Sequence, residues 1–179
     1  MGESVPWACG SRAIGGNADD RFDAHQGAPL GLGRKRGEQK QAIGRSRGGR
    51  NTKIHAIADA KGRILSILLT GGEAYDCPIA ERLIRRNKAA RKLLGDKAYD
   101  SAPLREWLED RGTKAVIPNK TNRKQPFSFN KKSYKERHRI ENAFCRLKDF
   151  RRIATRYDRL ARNFLASVYL VAALVWWTL

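Results

Sequence analysis

The stretch KERHRIENAFCRLK, residues 135–148, constrains the fold of this chain more than any other segment. Successive residues of a helix are about 100° apart, so side chains three and four positions apart share a face. The apolar side chains then form one stripe: Ile140, Ala143, Phe144 and Leu147. Such a stripe is typical of a helix that buries one side against a core. The segment therefore predicts a surface helix packed on a globular domain.

A second stripe beside it carries polar side chains. Its members follow a Tyr-x2-Arg-x3-Glu-x6-Lys spacing: Tyr134, Arg137, Glu141 and Lys148. All four fall within about 60° of one another around a helix. The pattern predicts that Glu141 lies between two cations at the edge of the buried face.

A second acid, Asp96, follows the short apolar run Leu93-Leu94-Gly95, which is typical of a buried strand. One carboxylate after a strand and another on a later helix suit a site that binds Mg²⁺ through oxygen ligands for phosphodiester chemistry. The residues also allow a purely structural alternative. Asp96 would then open a turn, and Glu141 would pair with Arg137 at the i, i+4 spacing.

The charge of the chain favours a polyanionic partner over a small acidic substrate. There are 37 Lys and Arg residues against 18 Asp and Glu, a formal net charge of +19. Such an excess is typical of nucleic-acid binding, and a ribosome-like or merely basic protein is the alternative. Arg45, Arg47 and Arg50 lie among glycines, either to contact phosphates or as part of a basic tail. Lys97, next to Asp96, either contacts a phosphate or is solvated.

The cysteines and the C-terminus indicate a cytoplasmic protein without a membrane span. Cys9, Cys77 and Cys145 are isolated and odd in number, which fits neither a disulfide framework nor a zinc site. The apolar run over residues 164–179 is shorter than the ~20 residues that cross a bilayer. It predicts a buried terminal helix.

The order of predicted elements describes an α/β domain with a mixed sheet flanked by helices. A hairpin is expected over residues 52–70 with its turn at 60–62, followed by helices and short strands in alternation. A long helix is expected from about residue 134 to 152, and a last helix from about 159 to the end. Residues 1–40 are glycine-rich and predict a poorly ordered segment, so one domain is expected over residues 41–179.

The motifs GDKAYDS, around Asp96, and YKERHRIENAFCRLK together resemble the DDE transposases of bacterial insertion sequences. The resemblance extends from GRSRGGRNTKIHAIAD to FRRIATRYDRLARNFLASVYLVAALVWW and covers about residues 41 to 179. It implies an RNase H-like catalytic domain in which three acids bind two Mg²⁺ ions, with Mn²⁺ as the other candidate ion. Such proteins cleave transposon ends and join the freed 3′-OH to target DNA.

Residue by residue, the resemblance makes Asp96 the second acid and Glu141 the third. Arg137 and Lys148 match basic residues expected near DNA phosphates or the catalytic carboxylates, and Tyr134 matches the signature tyrosine. The implied partners are double-stranded DNA, as transposon ends and target, and further copies of the same chain on that DNA. The implied location is the bacterial cytoplasm, in association with the nucleoid.

The first acid is where the sequence departs from the family. An Asp-Ser-Thr is expected at the end of the first strand, but the corresponding stretch reads NADDRFDAHQ. Asp19 lies closest to the expected offset, with Asp20 and Asp23 nearby. We therefore expect the first strand to be missing or degraded and the chain to be a C-terminal portion of a transposase. Whether it is active alone stays open. The alternatives are a catalytically inactive DNA-binding fragment or regulator, and a stand-alone nuclease.

Overall fold

The computed structural model describes residues 7–14, 41–46 and 49–177. The strands in these ranges are β1 (Trp7–Ile14), β2 (Gly44–Ser46), β3 (Gly49–Ala58), β4 (Ile64–Gly71), β5 (Lys92–Leu94) and β6 (Lys114–Val116). The α-helices are α1 (Asp76–Ile84), α2 (Ala102–Asp110), α3 (Lys131–Tyr134), α4 (His138–Asp149), α5 (Arg151–Ala154) and α6 (Ala161–Trp177). Two 3-10 turns, Lys97–Tyr99 and Lys135–Arg137, complete the set.

The strands form one mixed six-stranded sheet. Its order is β2-β3-β1-β5-β6, and β4 also pairs with β3. β1, β5 and β6 are parallel, whereas β2 and β3 are antiparallel. Parallel neighbours need crossover connections, and α2 lies in the connection from β5 to β6. The predicted mixed α/β sheet flanked by helices is confirmed.

The chain divides into two compact units. Within the described residues the first unit holds 7–11, 55–67 and 75–144, and the second holds 12–14, 41–46, 49–54, 68–74 and 145–177. In the first unit Ile57, Leu83 and Leu108 are fully buried. In the second, Ile54 and Phe164 are fully buried. Each unit therefore has apolar side chains of its own that are removed from water.

The hairpin predicted between residues 52 and 70 is present as β3 and β4. Asp59 closes its turn, because one carboxylate oxygen accepts hydrogen bonds from the backbone N–H groups of Lys61 and Arg63, each at 2.9 Å. The other oxygen pairs with the Arg63 guanidinium. Gly62 has a φ of +82°, which a residue with a side chain rarely adopts. Asp59 thus has the role of a turn residue.

No strand was expected before residue 41, where the structure has β1 (Trp7–Ile14). Residues 7–14 lie inside the segment predicted to be poorly ordered, yet they form a strand between β3 and β5. Ala8, Cys9 and Gly10 are buried there. Small residues and a glycine give little local strand signal, so pairing and burial on both sides decide the conformation. The remainder of residues 1–40 lies outside the described residues.

The basic, glycine-rich segment QAIGRSRGGRN, residues 41–51, is predicted by its composition to be a loop, but the described part of it is paired as strands. It forms the β2–β3 pair, in which Gly44 faces Asn51, Arg45 faces Arg50 and Ser46 faces Gly49. Gly49 has a φ of +95°, which glycine adopts without strain. Glycine is weak evidence for a strand, which is why the composition of this segment predicted a loop.

The signature helix is segmented where one continuous helix was predicted over residues 134–152. α3 ends at Tyr134, a 3-10 turn spans Lys135–Arg137, and α4 runs over His138–Asp149. Short 3-10 pieces are common at helix ends, and periodicity alone does not distinguish them from an α-helix.

The C-terminal helix is α6. Phe164 and Val168 on it are fully buried, and the Arg156 guanidinium lies 5.1 Å from the Phe164 ring centroid. Among the described residues, no helix combines the length and the hydropathy needed to span a bilayer.

Candidate active site

Asp96 stands at the end of the parallel strand β5, where the chain turns into the 3-10 segment Lys97–Tyr99. Its backbone is extended, and its Oδ1 accepts a hydrogen bond of 2.8 Å from the N–H of Ala98. The side chain is half-exposed. Asp96 therefore does open a turn, as the structural alternative predicted, but it keeps a carboxylate at the surface.

Glu141 lies in the first turn of α4, with its side chain 46% exposed. Its Oε1 accepts a hydrogen bond of 2.7 Å from Arg137. The Arg137 guanidinium also lies 5.5 Å from the centroid of the Tyr134 ring, which packs edge-on against Phe129. Three of the four signature side chains thus form one connected row despite the break in the helix.

Strand β1 brings the surroundings of both acids to one point of the first unit. Ala8 is paired with Leu94, and Asp96 follows Leu94 by two residues, as Gly10 follows Ala8. A Cβ atom at Gly10 would lie 3.1 Å from Phe144 Cε2 and 3.2 Å from Ile140 Cγ1. Ile140 and Phe144 belong to α4 and flank Glu141 in sequence. Asp96 therefore follows the strand that pairs with β1, and Glu141 lies on the helix that contacts β1 at Gly10.

The strand between them carries no acid of its own, since Trp7–Ile14 reads WACGSRAI. Burial raises the pKa of Cys9 to about 12; a hydrogen bond from Tyr99 opposes this, while the negative charges of Asp76 and Asp96 reinforce it. A thiol with so high a pKa stays neutral at pH 7 and is a poor ligand for a hard cation.

The donor set is incomplete for the two-metal site that the resemblance implies. Carboxylate oxygens are the ligands that Mg²⁺ prefers, and Asp96 and Glu141 both supply them. Within the part of the chain that the structure describes, however, no group of three His, Cys, Asp or Glu side chains could hold a metal ion. Asp19, Asp20 and Asp23 lie outside the described residues.

The other predicted site residues fall into two places. Lys97 is exposed in the 3-10 turn directly after Asp96. Arg45 and Arg50 are cross-strand neighbours in the second unit, where both are exposed. Lys148 is half-buried on α4, also in the second unit. Arg47 lies outside the described residues.

A charged network around Asp100 was missed at the sequence level. The Asp100 side chain is fully buried and accepts hydrogen bonds from Arg105 Nε at 3.0 Å, Arg123 Nε at 2.7 Å and the Lys120 backbone N–H at 2.8 Å. Burial acts to raise the pKa of Asp100, but the bonds from Arg123, Lys120 and Arg105 outweigh it and hold the pKa below its usual value. Only the position of Asp100 in the DKAYDS motif hinted at this role.

Comparison with known proteins identifies the family. The family model described as a Transposase DDE domain matches residues 19–176, which is most of the chain. This chain belongs to the DDE transposases of bacterial insertion sequences.

Two relatives of this DDE transposase chain support the assignment. A Brucella ovis protein named as a transposase for insertion sequence element IS6501 is 37% identical over 127 residues, which are 70% of this chain and 97% of that protein. A Burkholderia cepacia protein named as a transposase for insertion sequence element IS402 is 30% identical over 137 residues. Its match covers 70% of this chain but only 63% of the relative, so part of that protein has no counterpart in the match.

Two solved structures of transposases are weakly similar to the DDE transposase chain. A piggyBac transposase synaptic complex with hairpin DNA has a TM-score of 0.42 at 13% identity, over 69% of this chain and 24% of that one. A pre-cleavage Mos1 transpososome has a TM-score of 0.38 at 10% identity, over 95% and 53% of the two chains. Such low scores add nothing to the fold described above.

Proposed function

We propose that this DDE transposase chain cleaves transposon ends and transfers the freed strand to target DNA, with Asp96 and Glu141 as two of the catalytic acids. One observation supports this above others: Asp96 follows β5, which pairs with β1, and Glu141 lies on α4, which contacts β1 at Gly10. Both are also partly exposed, as a group that meets a substrate must be. The domain that defines the family, the Transposase DDE domain, functions in DNA transposition.

The sheet order supports an RNase H-like assignment as part of the same proposal. A strand pair at one side, β1 in the middle and two parallel strands beyond it give the mixed sheet that the resemblance led us to expect. Mg²⁺, or Mn²⁺ in its place, would bind Asp96 and Glu141 together with a carboxylate from outside the described residues, for which Asp19 is the candidate. When bound, the ion would stabilise negative charge on the phosphodiester oxygens.

The proposed partners follow from the charge. A net charge of +19 favours double-stranded DNA, and we place the chain as a homo-oligomer on that DNA, near the nucleoid of the bacterial cytoplasm. Arg137, Tyr134 and Lys97 adjoin the two acids, so the proposal gives them contacts with the bound strand.

The test is nicking of duplex DNA that carries the ends of the insertion sequence, in the presence of Mg²⁺ or Mn²⁺. Asp96→Asn and Glu141→Gln keep the size of each side chain and one oxygen that accepts a hydrogen bond, but remove the charge. We expect each to reduce nicking by at least 100-fold, the order of loss when a major electrostatic group is removed from a site. Nicking that survives both changes contradicts the assignment.

Glu81 offers a matched control for Glu141. It pairs with Arg85 at the same i, i+4 spacing, with the same 2.7 Å separation and with 41% of its side chain exposed. Glu81→Gln removes a helix ion pair of the same spacing and similar exposure on another helix. We expect it to leave nicking within about twofold of the parent, since such exposed pairs contribute less than 1 kcal/mol. An equal loss of nicking in both variants would mean that Glu141 acts only through its ion pair with Arg137 and not as a catalytic acid.

A second candidate function rests on a different observation, the absence of an acid from β1. A transposase-derived chain with two acids in place of three would bind DNA without cutting it, and could inhibit an active transposase by mixed assembly. Absence of nicking by the parent chain, with retained DNA binding, would favour this candidate over the first.

A further inference from the structure

A cleft in the first unit has no role in the function proposed so far. It has a volume of about 390 Å³ and is lined by Asp100, Lys120, Asn122, Arg123, Lys124 and Gln125. The lining belongs to the segment between β6 and α3, except for Asp100 at the end of the first 3-10 turn. The cleft therefore lies where a basic loop passes over a buried carboxylate.

The charges of the lining favour an anionic occupant. The lining has three cations, Lys120, Arg123 and Lys124, and one carboxylate, Asp100. Asp100 is already bonded to two guanidinium groups and a backbone N–H. Lys120 and Lys124 are exposed, and within the described residues neither side chain has an ion pair. An anion entering the cleft would meet uncompensated positive charge, while Asp100 is screened by its own partners.

The loop that carries these cations is held in shape before any ligand binds. Asn119 Nδ2 donates to the carbonyl oxygen of Phe127 at 2.8 Å, and the N–H of Phe127 donates to Asn119 Oδ1 at 2.9 Å. Arg123 is fixed by Asp100 and lies 4.8 Å from the Phe127 ring centroid. Only its Nε is used in that bond, so the rest of the planar fork suits a phosphate group. Preorganisation of this kind lowers the entropy cost of binding.

The cleft also lies close to Asp96. Asp96 and Asp100 are the two caps of one 3-10 turn, so they are on the order of 10 Å apart along the chain. The pKa of Cys77 responds to charges from both places. Burial raises this pKa, the positive charge of Lys120 lowers it, and the negative charges of Asp76, Asp100 and Asp96 raise it further. Lys120 and Asp96 therefore act on the same thiol.

We propose that this cleft binds a phosphate of the DNA backbone, and so holds the strand that is presented to Asp96. The inference rests on the function proposed above and assigns it a contact that lies outside the acids and the signature residues. Lys120 and Lys124 contact the phosphate as point charges, and Arg123 supplies directional hydrogen bonds. A phosphate contact fixes the register of a strand without reading its sequence.

The test measures DNA affinity of the full chain by fluorescence anisotropy, at several salt concentrations. Lys120→Ala combined with Lys124→Ala removes two exposed cations without touching the bond between Arg123 and Asp100. If each lysine contacts one phosphate, the slope of log K against log salt falls by about 0.9 for each. We expect weaker binding to all duplex sequences alike. Lys120→Arg with Lys124→Arg should restore both affinity and slope.

The matched control is Lys61→Ala combined with Lys88→Ala, which removes two exposed lysines that do not line the cleft. The control should leave the slope within about 0.5 of the parent value. An equal fall in slope in both double variants would assign the effect to net charge and overturn the proposal. An unchanged slope in the cleft variant would overturn it as well.

Failure of this inference can be separated from failure of the proposed function. A parent chain that does not bind duplex DNA contradicts both. A parent chain that binds and nicks DNA, with a cleft variant of unchanged affinity and slope, contradicts the phosphate site alone. Thermal unfolding of each variant verifies that the fold is intact before binding is compared.

Discussion

Two aspartates at opposite ends of one short turn have opposite environments. Asp100 has a fully buried side chain with two arginine partners and a backbone N–H. Asp96 is half-exposed and accepts a hydrogen bond from the N–H of Ala98. Because Asp100 is buried and its oxygens accept hydrogen bonds from Arg123 and Lys120, it holds the turn and the basic loop together. Asp96 is left accessible to a ligand, which is the condition for a role in chemistry.

The two helix ion pairs also differ, in the order of acid and base along the helix. In Glu81–Arg85 the acid precedes the base, the order that stabilises a helix better at this spacing. In Arg137–Glu141 the order is reversed. A reversed pair is a weaker helix stabiliser, so the stability of α4 gives little reason for this arrangement. The reason is better sought in what Glu141 and Arg137 do together at the surface.

The largest effect that tests this contrast is expected from Asp100→Asn. The change leaves the guanidinium of Arg105, which is 7% exposed, without its buried counter-charge. Breaking a buried ion pair on one side typically costs about 3–5 kcal/mol. Chemical denaturation should show a loss of this size in the free energy of unfolding. A loss below about 1 kcal/mol would show that the network is not held by Asp100.

The pH dependence of stability gives a second test of Asp100. Because its pKa is lowered in the folded state, the charged form is favoured by folding. Its contribution is complete above the unfolded value, about 3.9, and is lost as the pH falls through the lower folded pKa. Stability of the parent chain should therefore fall below about pH 4. Asp100→Asn should reduce this loss of stability below pH 4. An unchanged dependence of the free energy of unfolding on pH would contradict the role given to Asp100.

The smallest effect on stability is expected from Asp96→Asn. Asparagine also accepts a hydrogen bond in a cap, so the loss should be only a few tenths of a kcal/mol. The same variant is expected to abolish nicking. A stability loss as large as that of Asp100→Asn would remove the distinction between the two aspartates.

Much of the fold followed from local patterns in the sequence. The alternating segment before Asp59 and its partner predicted the β3–β4 hairpin, and the apolar run before Asp96 predicted β5. The stripe through Ile140 and Phe144 predicted a helix with one buried face, and both side chains are buried. These features are local, because periodicity and turn residues report on the backbone within a few positions.

The features that the sequence did not reveal depend on distant partners. β1 forms because it lies between β3 and β5, although its own residues have weak strand preference. Arg123 reaches Asp100 across 23 positions, and no spacing rule links them. The break before α4 was missed because a 3-10 turn keeps nearly the same periodicity as the helix it precedes.

The sequence by itself determined the family and the basic character of the chain and singled out Asp96 and Glu141 as candidate acids, because motifs and composition carry this information. Tertiary structure alone decided that β1 adjoins both β5 and α4, and that Asp100 is buried while Asp96 is not. The physical reason is that burial and long-range pairing are properties of packed neighbours. A motif can name a carboxylate, but only its surroundings decide whether it stabilises the fold or faces a substrate.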